Sequence, residues 1–237
     1  MINIQYQNAV MDEAVNDQPT AIARKPVPIF WMAGAFAVAL VLAVIVVAIG
    51  GVNPGNLRMA LRVTARWAFL LFWVAYTGRA LSTLFGPALT PLARRGREFG
   101  LAYASAMLIH IGIVLWIYQL TSHSPLTGVS LLFFLIGIVW TYLLAVFSFG
   151  RLAEDLGPIG WRLLRVTAVN YILFAFGSDF VPALIHPAPG HHSILRTADY
   201  IFFASMTLGA PLLVLAASAR RWLDVRYGRA QLRPAIN

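Results

Sequence analysis

The sequence predicts an all-α, polytopic membrane protein: a six-transmembrane-helix bundle with both termini cytoplasmic. Three observations carry that prediction. Of 237 residues, 59% are hydrophobic and only 11% charged, against about 25% charged in a soluble domain, and the mean hydropathy is +0.74. Six mostly apolar stretches each hold ~20 or more residues, enough to cross a ~30 Å hydrocarbon layer at ~1.5 Å per residue. Arg and Lys gather in alternate connections, the charge asymmetry that sets membrane orientation.

The first span runs from Ile29 to Gly50 without a single charge. The mostly polar segment before it, and its length, set it apart from a secretory leader. The second covers Leu57 to Phe85 and the third Phe99 to Leu120. The fourth is Thr127 to Phe149, the fifth Gly160 to Leu184, and the sixth Thr197 to Ala219. Each is read as a helix, because lipid cannot satisfy an open backbone. Turn-forming residues separate them: Asn53-Pro54-Gly55, Gly86-Pro87, Ser124-Pro125, Gly157-Pro158 and Pro187 to Gly190.

Arg24 and Lys25 precede the first span, and Arg94, Arg95 and Arg97 lie between the second and third. Arg151 and Arg162 flank the connection before the fifth. Arg220, Arg221, Arg226, Arg229 and Arg233 follow the sixth. All fall on one side when both termini are cytoplasmic, with Arg58 and Arg196 as exceptions. The net charge of +9 is thus a signature of topology rather than of nucleic-acid binding. Residues 1–28 read as a cytoplasmic N-terminal arm, residues 29–220 as the membrane domain, and residues 221–237 as a basic cytoplasmic tail that can lie on anionic lipid. There is no cysteine, which excludes disulfides, iron–sulfur clusters and thiolate metal ligands. No nucleotide-binding motif is present, so an electron donor or energy source would be another chain.

His110 lies twelve residues beyond Glu98, ~18 Å along its helix and near the bilayer midplane. A neutral imidazole there is able to ligate haem iron, or to pack and hydrogen-bond across the bundle. Arg58, Arg62 and Arg66 recur every four residues and share one helix face. They suit an anion clamp for haem propionates, a quinone headgroup or a lipid phosphate. They equally suit snorkelling to the headgroups, with Asp179 and Asp199 as ion-pair partners. His123, His186, His191 and His192 fall on the outer side, where a copper or zinc site and plain loop histidines are the competing readings. Glu154 and Asp155 read as solvated charges. Trp31, Trp116, Trp161 and Trp222 read as interfacial anchors, and Gly209 with Pro211 as a kink or close packing in the last span.

Three stretches together resemble the bacterial ferric-reductase-like transmembrane family, which includes the MsrQ (YedZ) type of haem-binding membrane subunit. Asn53 to Phe72, NPGNLRMALRVTARWAFLLF, is similar to the family's Asn-Pro turn and Thr-Gly-Arg-Trp-Ala-Leu helix start, with Ala65 where the family prefers Gly. Arg94-Arg95, then Phe99-Gly100-Leu101, then His110 resemble its Arg-Arg, Leu-Gly-Leu and haem-ligand histidine in order and spacing. Gly160 to Phe176, GWRLLRVTAVNYILFAF, looks like its tryptophan-led fifth helix. The resemblance spans about half the chain and implies a six-helix bundle carrying b-type haem. In that family electrons pass from a cytoplasmic flavin reductase to a periplasmic enzyme or quinone. Two of three mapped ligand positions are changed: Arg165 and Ser178 stand where histidines are expected. Arginine is permanently charged and is no ordinary haem ligand. His110 is the mapped position that survives, and a rearranged outer site would pair His123 with His186.

The expectation is therefore a family member degenerate in haem binding. It would serve as an accessory or scaffold subunit of a larger electron-transfer complex in the bacterial inner membrane, contacting lipids and other membrane-protein subunits, and would not be a catalyst by itself. One alternative is a b-type haem electron-transfer subunit, with iron on His110 and propionates on arginines such as Arg62 and Arg66. The other is a quinone- or lipid-binding subunit using the vacated haem cavity.

Overall fold

The computed structural model describes residues 29–121, 128–149, 156–185 and 194–231. Seven α-helices account for nearly all of them: α1 Ile29–Gly50, α2 Pro54–Phe85, α3 Thr90–Arg94, α4 Gly96–Thr121, α5 Gly128–Phe149, α6 Gly157–Ile185 and α7 Ile194–Gln231. No strand occurs among the described residues. All but the short α3 are long and apolar enough to cross a membrane. The chain is a multi-pass α-helical membrane protein, as the composition predicts.

The α1–α2 connection is fixed by hydrogen bonds from asparagine side chains to backbone. Gly51 closes α1 at φ +75°, a conformation that favours glycine. Asn53 caps α2: its Oδ1 accepts from the Asn56 N–H at 2.9 Å, and its Nδ2 donates to the Gly50 carbonyl at 3.1 Å. Pro54 fills the first turn, where its missing N–H costs nothing. Asn56 also donates to the Gly50 and Gly51 carbonyls.

At the other end of α2, Gly86 adopts φ +97° and returns its N–H to the Ser82 carbonyl at 3.1 Å. A 3-10 turn over Pro87–Leu89 and the short α3 then fold back along α2. Gly78 makes that return path fit, since a Cβ there would lie 3.1 Å from the Leu92 carbonyl oxygen. Backbone cannot swing aside as a flexible side chain can. Gly78→Val is therefore expected to destabilise the fold by about 1–3 kcal/mol, read as a lower midpoint in denaturant titration of the detergent-solubilised protein.

Short-range contacts sort the helix ends into two groups. Trp31 at the start of α1 meets Phe99 at the start of α4, ring centroids 5.2 Å apart. The guanidinium of Arg95 sits 5.4 Å from the Trp31 ring. Arg97 donates to the Ser148 carbonyl at the end of α5, and Phe147 stacks on Trp161 at the start of α6. Arg220 in α7 donates to the Leu84 carbonyl at the end of α2 at 2.8 Å. These meeting points, rich in arginine, define one basic end of the bundle.

Helix α2 is the centre, packing against α1, α4 and α7. The remaining contacts, α1 on α4, α4 on α5, α5 on α6 and α6 on α7, close the arrangement. Small residues bring α1 close: Ala35, Ala39 and Ala43 recur every four positions and are all buried, the spacing that lets membrane helices approach. The Trp67 indole donates to the Ala35 carbonyl at 3.1 Å and Ser105 to the Met32 carbonyl at 2.8 Å. α2 and α7 run parallel, with Arg66 beside Asp199, Trp73 Nε1 donating to the Met206 carbonyl at 3.0 Å, and Leu84 beside Arg220.

The core is aromatic. Phe69 is fully buried and meets Phe176, Phe180 and Phe203 edge-on at 5.0, 5.2 and 5.7 Å. Phe72 and Tyr103 extend the cluster toward α4 at 5.3 Å. The described hydrogen bonds between α4 and α5 all lie in the half toward the basic end: Tyr103 to Thr141 at 3.1 Å, Tyr142 to the Ala104 carbonyl at 3.3 Å, and Arg97 to Ser148. Nearer its start, α5 leans on α6, with Phe133 against Tyr171 and Phe174. α5 consequently exposes most of its surface.

Four helices, α2, α4, α6 and α7, begin three residues before the apolar runs that predict them. α7 continues as one helix to Gln231, so the basic segment that follows the last span is helical as far as that residue. Pro211 is accommodated inside it.

Candidate functional site

Two polar constellations within the described spans hold the candidate site residues, and both are anchored on α2. The first joins α2 to α4. His110 Nδ1 lies 3.3 Å from Thr64 Oγ1. Thr64 is fully buried, and its hydroxyl also lies 2.9 Å from the Ala60 carbonyl and 3.1 Å from the Leu61 carbonyl. A hydroxyl has one hydrogen and two lone pairs. With the hydrogen directed to the helix's own carbonyls, Oγ1 accepts from the imidazole, so Nδ1 carries a proton. No side-chain hydrogen bond among the described residues involves Nε2, and the residue is half-buried. His110 therefore ties two helices together, and in a neutral imidazole Nε2 is the nitrogen that keeps a lone pair.

The second constellation joins α2 to α7. Arg66 forms an ion pair with Asp199. Its guanidinium also lies 5.5 Å from the ring centroids of Tyr200 and Phe203, where cation–π attraction adds to the pair. The Nε atom is buried without a partner. Arg62 and Asp179 lie within electrostatic range of this pair, yet neither takes part in an ion pair or a side-chain hydrogen bond among the described residues. Arg58, a turn before Arg62, is exposed. Of the two carboxylates the sequence offers to the arginine ladder, Asp199 takes the direct contact.

These placements decide which predicted site residues meet. His110 reaches α2 at Thr64, and Arg66 follows two residues later on the same helix, but each is engaged by a different neighbour. Arg165 is exposed on α6 and does not close the space beside His110. Ser178 donates to the Ala175 carbonyl at 2.8 Å. From α6 it is Phe176 and Phe180 that face α2. His123, His186, His191, His192, Glu154 and Asp155 lie outside the described residues, and so does the outer histidine pair. Among the described residues no group of three His, Cys, Asp or Glu side chains is placed to hold a metal ion.

Among the described residues there is no second imidazole to pair with His110. His110 is the sole histidine of the described helices, and the side chain it meets across the bundle is Thr64. One axial nitrogen, Nε2, is all that the described residues supply. Thr64 carries no signal in the sequence, because a buried threonine in a membrane helix most often bonds to its own preceding turn and leaves no pattern. Glu98 is a second such residue: Oε2 is buried without a partner, although it stands among arginines in the sequence. No known protein family, curated protein or solved structure matches the chain.

Proposed function

We propose that this protein is an accessory subunit of a bacterial inner-membrane complex, a helical scaffold derived from the ferric-reductase-like family that does not itself carry electrons. The observation that supports this reading best is the use made of its intramembrane polar groups. His110 and Arg66 are each committed to joining two helices, and the centre of the bundle is occupied by packed aromatic rings. Arginines at the basic end favour a cytoplasmic location for both termini. The nearly bare outer surface of α5 and the exposed Trp222, Val225 and Tyr227 of α7 are the surfaces on which other subunits would seat.

The Nε2 lone pair of His110 favours a second reading, a b-type haem held by a single axial imidazole. One preparation separates the two. The protein is purified from its native membrane in mild detergent, and a reduced-minus-oxidised spectrum is recorded with pyridine haemochrome quantification. The scaffold reading expects no stoichiometric haem and a defined set of co-purifying membrane subunits. It also expects His110→Leu to be folded and only about 1 kcal/mol less stable, the usual size of one interhelical hydrogen bond in a membrane. One haem per chain that disappears in His110→Leu would establish the electron-transfer reading instead.

A further inference from the structure

We propose that the acidic stretch of the N-terminal arm, Asp12 to Asp17, docks on the free helical end of α7 beyond Arg220.

The receiving surface is a helix that leaves the bundle. α7 runs unbroken from Pro211 to Gln231. Arg220 donates to the Leu84 carbonyl at the end of α2, which marks the limit of the packed helices. Every residue from Ser218 to Tyr227 is exposed, so no described element covers this part of α7. Trp222, Leu223, Val225 and Tyr227 are among them. The helix continues for ~16 Å past Arg220. A helical piece this short is marginal in water unless a partner covers its apolar side chains. By Val225 it has run ~8 Å past Arg220, about one Debye length at physiological salt. Lipid headgroups can therefore serve its first turn but not the rest.

Charge names the occupant. Residues 220–231 carry Arg220, Arg221, Arg226 and Arg229 against Asp224 alone, four positive side chains to one negative. Arg221 bonds to the Ala217 carbonyl and Arg226 lies over the Trp222 ring, and neither pairs with a described carboxylate. Residues 1–18 carry Asp12, Glu13 and Asp17 and no Lys or Arg, so the two segments cancel. Val10, Met11, Ala14 and Val15 intersperse those carboxylates and offer apolar surface to Trp222, Val225 and Tyr227.

Reach permits the contact. α1 begins at the same basic end, where Trp31 meets Phe99 and Arg95. α1 and α7 both pack on α2, so at ~8–10 Å per helix pair their axes lie within ~20 Å of each other. The stretch from Asp17 to Ile29 extends to ~40 Å. Arginines closer to the root of the arm are engaged, Arg95 on the Trp31 ring and Arg97 on the Ser148 carbonyl. In the isolated chain the arm thus takes the α7 surface that an incoming subunit would use, and assembly exchanges one for the other. The docking itself does not depend on the accessory-subunit reading.

The test is disulfide trapping in the isolated chain. The protein has no cysteine, so a double variant holds only the two introduced. A14C/V225C leaves every charge in place, and M11C/V225C and V15C/V225C cover the neighbouring registers. A14C/P91C is the control, since Pro91 is exposed at the same end beside the other arginine cluster. Val225 and Pro91 are both exposed, so neither substitution removes a packed contact. Each variant is purified in mild detergent, checked by gel filtration and oxidised gently. Non-reducing gels then separate links within a chain from links between chains. The expected result is a link within the chain for at least one V225C pair, formed at least about tenfold faster than in the control. Adding D12N, E13Q and D17N slows it about tenfold, the combined effect of three exposed ion pairs. The proposal is overturned by the absence of any link within the chain, by equal rates at Val225 and Pro91, or by rates indifferent to the neutralised carboxylates. Links formed mainly between chains overturn it as well. None of these readouts involves co-purifying subunits, so failure here and failure of the scaffold reading are told apart.

Discussion

Asp199→Ala is expected to lower the stability of the detergent-solubilised bundle by about 3 kcal/mol, the larger part of it as unfolding of α7 from α2. Removing one partner of a buried ion pair leaves the other charge uncompensated, which costs about 3–5 kcal/mol. The lower end applies here. The Arg66 side chain is 14% exposed but that of Asp199 is 32% exposed, and an accessible carboxylate is already partly screened. The orphaned guanidinium would keep its contacts with Tyr200 and Phe203, yet its Nε has no partner even in the intact protein. The pair itself need not be favourable. The double variant Arg66→Met, Asp199→Leu is expected to regain most of the loss, because apolar side chains at both positions need no desolvation. Denaturant titration followed through tryptophan fluorescence reads the effect directly, since Trp73 donates to the Met206 carbonyl on the same seam. A change below about 0.5 kcal/mol in Asp199→Ala would mean that the headgroup region solvates Arg66 as a surface group.

The six crossings are legible in the sequence because an uncharged apolar run of this length is insoluble in water and matches the thickness of a bilayer. The helix starts are less so, for a physical reason. Hydropathy marks where the chain meets hydrocarbon, whereas a helix begins where its first N–H groups find partners. Pro54, Gly96 and Gly157 add nothing to an apolar run, yet α2, α4 and α6 begin with them. α7 differs from its apolar run at the far end as well, because helical hydrogen bonding persists through the basic residues after Ala219. At the site, the arginine ladder and its two candidate carboxylates are visible from spacing alone, but the choice between Asp179 and Asp199 depends on the register of α7 against α2. The His110–Thr64 contact joins residues 46 apart and leaves no periodic trace. The aromatic core is hidden differently. Fifteen phenylalanines in the chain are as compatible with a lipid-facing surface as with an interior, and in a membrane protein apolarity no longer tells inside from outside.

That ambiguity makes Phe69→Ala the most informative packing variant. Phe69 and Phe202 are both phenylalanines within spans; the first is fully buried and the second 52% exposed. In water both truncations would lose transfer free energy. In a bilayer or micelle the exposed side chain merely exchanges one apolar neighbour for another, so Phe202→Ala is expected to cost less than about 0.5 kcal/mol. Phe69→Ala removes a ring that three others contact edge-on. The transfer contribution largely cancels there too, but lost dispersion and the cavity left behind do not. The expected cost is about 2–4 kcal/mol, somewhat below the ~3–5 kcal/mol of a phenylalanine truncated in a soluble core. The contrast between the two variants is the measurement, made by denaturant titration in the same detergent. A Phe69→Ala cost under about 1 kcal/mol would show that the centre of the bundle is loosely filled. The scaffold reading, which leans on a packed aromatic centre, would then lose its main support. A cost in the expected range would mean that the rings themselves hold α2, α6 and α7 together, leaving the interior no room to spare.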